Sequence, residues 1–257
     1  MFGGPTLKVG ILLAHLLFSS PHVLIQVSEK ATNDPLRTAD QGLQSHGVAL
    51  DRASVLRALQ NSDAEIRWLA AEKLGNDGNK SAIPEIEMAL LHEKNTRAKI
   101  NIATALVELN SSKGLEGLTA VCQDVQVPIY MRLDAVRHLQ DFHAQGCPGA
   151  IIDGLRLGAN SDPAIRLQSL SLISQLPTTE GSYLQEAKPL VSRELTDESP
   201  AVRAEASRSL AQIGDSSSLA ALRKAYSLEE DKDVRRIMQD CIGTLEHKLL
   251  SDIRVVN

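Results

Sequence analysis

Asp63-Ala-Glu-Ile-Arg-Trp-Leu-Ala-Ala-Glu-Lys-Leu-Gly75 begins with an acid suited to a helix N-cap and sets an apolar-basic pair at Ile66-Arg67. It then runs through small and apolar residues at helical spacing. The pair returns at Ala98-Lys99, Met131-Arg132, Ile165-Arg166, Val202-Arg203 and Val234-Arg235, at intervals of 32, 33, 34, 37 and 32 residues. That period holds two antiparallel helices and two turns. It predicts a stacked α-solenoid in which each unit buries its apolar face on its neighbours. Architecture is legible from this recurrence; a specific partner or reaction is not, because solenoids serve many unrelated roles.

Outward from the quoted stretch, Ala49 to Gln60 reads as the first helix of the first unit, and Gly75 as the end of the second. Later units repeat the grammar: Ile83 to Leu91 with Thr96 to Leu109, Leu115 to Cys122 with Pro128 to Phe142, and Ala150 to Leu157 with Asp162 to Leu176. The last two pair Tyr183 to Leu195 with Ser199 to Ile213, and Leu219 to Tyr226 with Asp231 to Leu245. Pro163 and Pro200 fall in first turns, where a missing N–H costs little. Arg236, Gln239, Glu246 and Lys248 suit a polar C-terminal cap.

Apolar residues make up 43% of the 257-residue chain but aromatics only 3%, so the core is aliphatic, as close helix-on-helix packing favours. A net charge of −5 argues against a nucleic-acid groove, which needs a basic stripe. The three cysteines form no CxxC pair and no even framework. Cys122 and Cys241 read as small buried residues, and Cys147, in Gln145-Gly-Cys-Pro-Gly149, as an exposed thiol in a turn.

Residues 1–27 read as a signal peptide or N-terminal hydrophobic segment. Lys8 precedes the apolar run Val9–Phe18, and Ser19-Ser-Pro-His22 breaks it. The run is short for a membrane span, which favours an exported protein over one anchored through this segment. The alternatives are an uncleaved anchor and a simple apolar N-terminal helix. Residues 28–47 read as a polar linker, with Asn33-Asp-Pro35, Gly42 and Gly47 as breakers, and residues 48–250 as the array.

The phrases Asp162-Pro-Ala-Ile-Arg166 and Ser199-Pro-Ala-Val-Arg203, the run Glu205-Ala-Ser-Arg-Ser-Leu-Ala-Gln-Ile-Gly-Asp215 and Leu219-Ala-Ala-Leu222 resemble the HEAT repeat family, in particular its bilin-lyase-like subgroup. The resemblance covers about residues 48–246. It implies a right-handed superhelix of about six helix pairs, all α, whose second helices line the concave side. It also implies that the basic column Arg67, Lys99, Arg132, Arg166, Arg203 and Arg235 is structural, pairing with turn acids such as Asp63, Asp162 and Asp233. A role in bilin attachment or handling is the alternative function it suggests.

Aligned second helices expose two columns three residues apart, hence on one face. The first is Leu69, Asn101, Asp134, Gln168, Glu205 and Ile237, and the second Glu72, Thr104, Arg137, Ser171, Arg208 and Asp240. Their mixed polarity points to a protein or peptide partner held on the concave face, with Trp68, Glu72, Asn101, Asp134, Arg137, Gln168, Glu205 and Arg208 as candidates. An ordinary solvated face is the competing reading. Trp68 sits in a column otherwise held by Ile100, Leu133, Leu167, Ala204 and Arg236, which leaves packing and a groove-edge contact both open.

Asp134, His138 and Asp141 share one side of a helix, but a metal site needs a further ligand from a neighbouring element. His92-Glu93 is a single His-Glu pair where diiron HEAT enzymes require several. No GxSxG, P-loop, GxGxxG or HExxH is present, so a non-enzymatic scaffold without cofactor or metal is the expected function.

Overall fold

The computed structural model describes residues 38–256 apart from 145, 178 and 179, and the backbone alone for 252–256. The leader and the first part of the expected linker therefore lie outside the described residues. Thirteen α-helices are present among the described residues: Ala39–Ser45 (α1), Arg52–Ala58 (α2), Ala64–Asn76 (α3), Ile83–His92 (α4), Thr96–Glu108 (α5), Ser112–Gln123 (α6), Ile129–Asp141 (α7), Pro148–Leu157 (α8), Pro163–Ser174 (α9), Gly181–Arg193 (α10), Pro200–Ile213 (α11), Ser216–Leu228 (α12) and Lys232–Val256 (α13).

Local chemistry sets most of the starts. Asp51, Asp63, Asn95, Ser111, Asp162 and Asp215 each accept a hydrogen bond from a backbone N–H in the first turn of the helix that follows, satisfying donors that would otherwise be orphaned. Pro148, Pro163 and Pro200 take first helical positions.

One predicted stop moves. Gly75 does not end α3, which continues to Asn76; Gly78, at φ +63°, makes the left-handed turn instead. Gly75 serves as a close-approach residue. A Cβ there would lie 3.3 Å from the Ala105 Cα of α5 and 2.8 Å from Glu108 Oε2.

The odd-numbered helices stack side by side in one layer, α3 on α5 and α9 on α11 on α13. The even-numbered helices cover them in a second layer, each packed against the odd-numbered helix that follows it. The interior holds Leu, Ile, Val and Ala with few large rings. Its two apolar clusters meet at α5, where Ile102 and Leu106 face the N-terminal one, and Ile100 and Ala103 the C-terminal one. Small residues bring the backbones together. Ser209 Oγ of α11 donates to the Leu170 carbonyl of α9 at 2.8 Å, a direct bond between successive units.

Three expectations are corrected. The end of the polar linker is helical: α1 carries a Thr38–Gln41 capping box, and its Leu43 is fully buried. It covers what would be the open flank of α3. Leu69, read as groove-lining, is buried against Gly42, and Lys73 joins Asp40 of α1 (3.0 Å) to Asp77 (3.1 Å). Cys147 is likewise no exposed thiol. Pro148 starts α8 immediately after it, drawing the turn against the end of α6, where Cys147 is buried and paired with Cys122 (Cα–Cα 6.1 Å).

Candidate functional site

The arginines of the basic column occupy the turn edge of the stack and are consumed there. Arg67 forks onto Glu93 of the next unit (Nε–Oε2 2.7 Å, Nη2–Oε1 2.8 Å) and donates to the carbonyls of Asn61 and Ser62 in its own turn. Arg203 reproduces this with Glu229 (2.7 and 2.8 Å) and the carbonyls of Asp197 and Glu198. Arg166 reaches Asp197 at 2.9 Å and the Ser161 carbonyl.

The partners are thus acids in the following unit's turn. Asp63 and Asp162 are occupied as N-caps, and exposed Asp233 pairs with Arg236 at 3.5 Å. Where Gly158 stands at the position equivalent to Glu93 and Glu229, Arg132 instead donates to the Cys122 carbonyl (3.0 Å) and to Asp153 of α8 (2.9 Å). Arg235, in the last described helix, donates to the Glu229 carbonyl (3.1 Å) and stacks 4.6 Å over the Tyr226 ring. Among the described residues Lys99 makes no ion pair.

Charge states follow the geometry. Burial alone would raise the Glu93 carboxyl, but Arg67 and the backbone N–H groups of Lys94 and Asn95 more than offset this and hold it below the usual value. Arg203 lowers Glu229 in the same way, and Arg67 and Arg203 are raised by their acids.

The exposed face of the odd-numbered helices carries the predicted polar columns. Asn101, Asp134, Gln168 and Glu205 are half-buried in a row across α5, α7, α9 and α11, with Arg137 and Arg208 exposed beside them. The charges are largely matched within each helix. Arg137 bridges Asp134 (2.8 Å) and Asp141 (3.0 Å) and touches His138 Nε2 (2.9 Å), and Arg208 pairs with Glu205 at 3.1 Å. Arginine thus sits where a divalent ion would have to bridge the two α7 carboxylates. Burial and the Arg137 charge depress the His138 imidazole.

At the N-terminal end of the face, Glu72 is raised by burial and by Glu108 of α5, itself raised by burial over Gly75. Trp68 stands apart from the polar row. It is half-buried against the N-terminal apolar cluster, in line with buried Ile100, Leu133 and Ala204.

Two surface features escaped the sequence reading. A cavity of about 180 Å³ crosses α5, α7 and α9 between Arg97, Ile100, Tyr130, Met131, Asp134 and Gln168. Arg97 and Tyr130 lie one helical turn before Asn101 and Asp134, so extending the columns by four residues would have found them. A groove of about 720 Å³ runs between α2 and α4 on the other layer, with Leu56, Leu59, Met88 and Ala89 inside and His92 and Lys94 at its rim. Nothing in the periodic pattern marks it, because it arises from a gap between neighbouring helices. Among the described residues no helix is long and apolar enough to cross a membrane.

Comparison with solved structures places three similar chains beside this one. An engineered protein is 18% identical, with 76% of this chain and 96% of that chain covered and a TM-score of 0.48. The CpcE–CpcF complex of phycocyanin lyase from Nostoc is 21% identical over 77% of each chain, with a TM-score of 0.44. Human deoxyhypusine hydroxylase in complex with glycerol is 19% identical, covering 76% of this chain and 84% of that one, with a TM-score of 0.32. No curated protein matches significantly. The profile of HEAT repeats matches residues 53–142 and 150–243, well over half the sequence, and the chain therefore belongs to the HEAT repeat family.

Proposed function

We propose that this protein is a non-enzymatic scaffold that holds a protein or peptide partner on the face formed by its odd-numbered helices, and that it is exported by its N-terminal segment. The observation that carries the binding reading is the cavity across α5, α7 and α9. Tyr130, 40% exposed, lines it together with Ile100, Met131, Arg97, Asp134 and Gln168. An exposed aromatic among apolar and polar neighbours is the composition of a binding hot spot. The Asp134 carboxylate in its lining is already paired with Arg137, so a polypeptide covers it without stranding that charge.

The test is an affinity capture of the full-length protein from its native cells after mild crosslinking. The wild type is compared with Tyr130→Ala and with the Asp134→Lys, Glu205→Lys double variant, each shown to fold by circular dichroism. A partner retained by the wild type and lost by both variants supports the scaffold. A partner retained by all three moves the binding surface elsewhere, and the compartment in which the partner resides tests export.

A further inference from the structure

Cys122 lies in the last turn of α6 and Cys147 immediately precedes α8, so the two belong to the third and fourth helix pairs. Both are buried, and their Cα atoms are 6.1 Å apart, inside the window of about 4.4–6.8 Å that a disulfide spans without backbone movement. The HEAT-repeat match is interrupted at their seam, where it stops at residue 142 and resumes at 150. Across the seam α7 touches α9, and α6 touches α8, more sparsely than α9 touches α11 or α8 touches α10. A covalent link here compensates for thin packing.

One feature makes the pair reachable by a small thiol. A cavity of about 300 Å³ lined by both cysteines, Arg132, Asp153 and Tyr183 gives a small thiol a route to the sulfurs. The third cysteine does not compete: Cys241 is buried, and burial pushes its thiol up to about 11.

We propose that Cys122 and Cys147 form a redox-sensitive staple that locks the third helix pair to the fourth and is closed only in an oxidising environment. Closure is thiol–disulfide exchange with an oxidised disulfide donor, glutathione disulfide or a protein dithiol oxidase. One cysteine thiolate attacks the donor, forming a mixed disulfide and expelling one donor thiolate. The second cysteine attacks the mixed disulfide at the protein sulfur and expels the other. The chain gives up two electrons and two protons, and the donor leaves as two thiols. The staple stands independently of the partner-binding reading, and it suits an oxidising compartment.

The full chain, equilibrated with oxidised glutathione, is denatured and alkylated without reductant. One cysteine, Cys241, is expected to react, rising to three after reduction, with a crosslinked peptide joining residues 122 and 147. Reduction of the folded wild type is expected to lower its thermal midpoint by roughly 5–10 °C, the scale for opening a loop of this length. Amide exchange should quicken in α6 to α8 and not in α12 and α13. The Cys122→Ser, Cys147→Ser variant should match the reduced wild type and ignore reductant; should it fail to fold, thiol counting and the wild-type comparison decide. Three reactive thiols without reductant, a crosslink to Cys241, or a midpoint unmoved by reductant would overturn the staple.

Discussion

Glu93 and Glu229 are the acids on which the stack's turn edge depends, because each is almost wholly buried beneath a forked arginine. Removing one partner strands the other charge. Glu93→Ala is therefore expected to destabilise the fold by about 3–5 kcal/mol in urea unfolding. Glu116→Ala, which breaks only the exposed Lys113–Glu116 pair, should leave the midpoint unmoved.

The same residues set the acid limit. Because the folded state holds Glu93 and Glu229 below their ordinary value, their stabilisation is complete above about pH 4.3 and is lost as pH falls through the folded values. Glu72 and Glu108 have the opposite sign. Raised in the fold, they take up protons first, so their penalty is present at neutral pH and relieved on acidification. Glu72→Gln should thus raise stability at pH 7, by less than about 1 kcal/mol, and the gain should shrink towards pH 4 in parallel thermal melts.

At the scale of the element, helix–helix distance is set by where side chains are absent. Gly114 of α6 lies so close to α5 that a Cβ would come within 2.5 Å of the Ala103 carbonyl oxygen and 2.6 Å of the Val107 nitrogen. Backbone cannot give way as a side-chain end can. Gly114→Ala is expected to cost about 1–3 kcal/mol in denaturant unfolding, although alanine is the better helix former. Gly149, in the first turn of α8 with no atom within 4 Å of its Cβ position, supplies the contrast. There Gly149→Ala should stabilise by roughly 0.4–1 kcal/mol. A destabilised Gly149→Ala would show that this turn needs glycine for a reason other than space.

For the whole molecule, a repeat array is held by neighbours, so damage should stay local. α1 caps the N-terminal end by burying Leu43 against the first unit, and Leu43→Asp places an unpaired charge in that contact. Hydrogen exchange should quicken in α1 and α3 while α9 to α13 keep their protection. Uniform loss of protection would mean that the array unfolds as one cooperative block. The two apolar clusters meeting at α5 mark the boundary at which the disturbance should fade.

Period, helix order and the identity of the basic column followed from the sequence alone, because a helix pair needs a fixed number of residues and its turn chemistry is local. Asp63 and Asp162 could be read as caps from their neighbours within a few positions. The polar columns of the second helices were equally legible, since helical spacing fixes which residues share a face. What the tertiary structure decided was everything that depends on distance between units. The arginines pair with acids about 26 to 31 residues ahead, Glu93, Glu229 and Asp197, rather than with the nearer caps. Gly75 is a contact and not a stop, residues 39–45 are a helical cap rather than linker, and Cys147 meets Cys122 across a seam. Local pattern carries the free energy of forming a helix. Which helices approach, and how closely, is set by the packing of atoms that no short stretch of sequence contains.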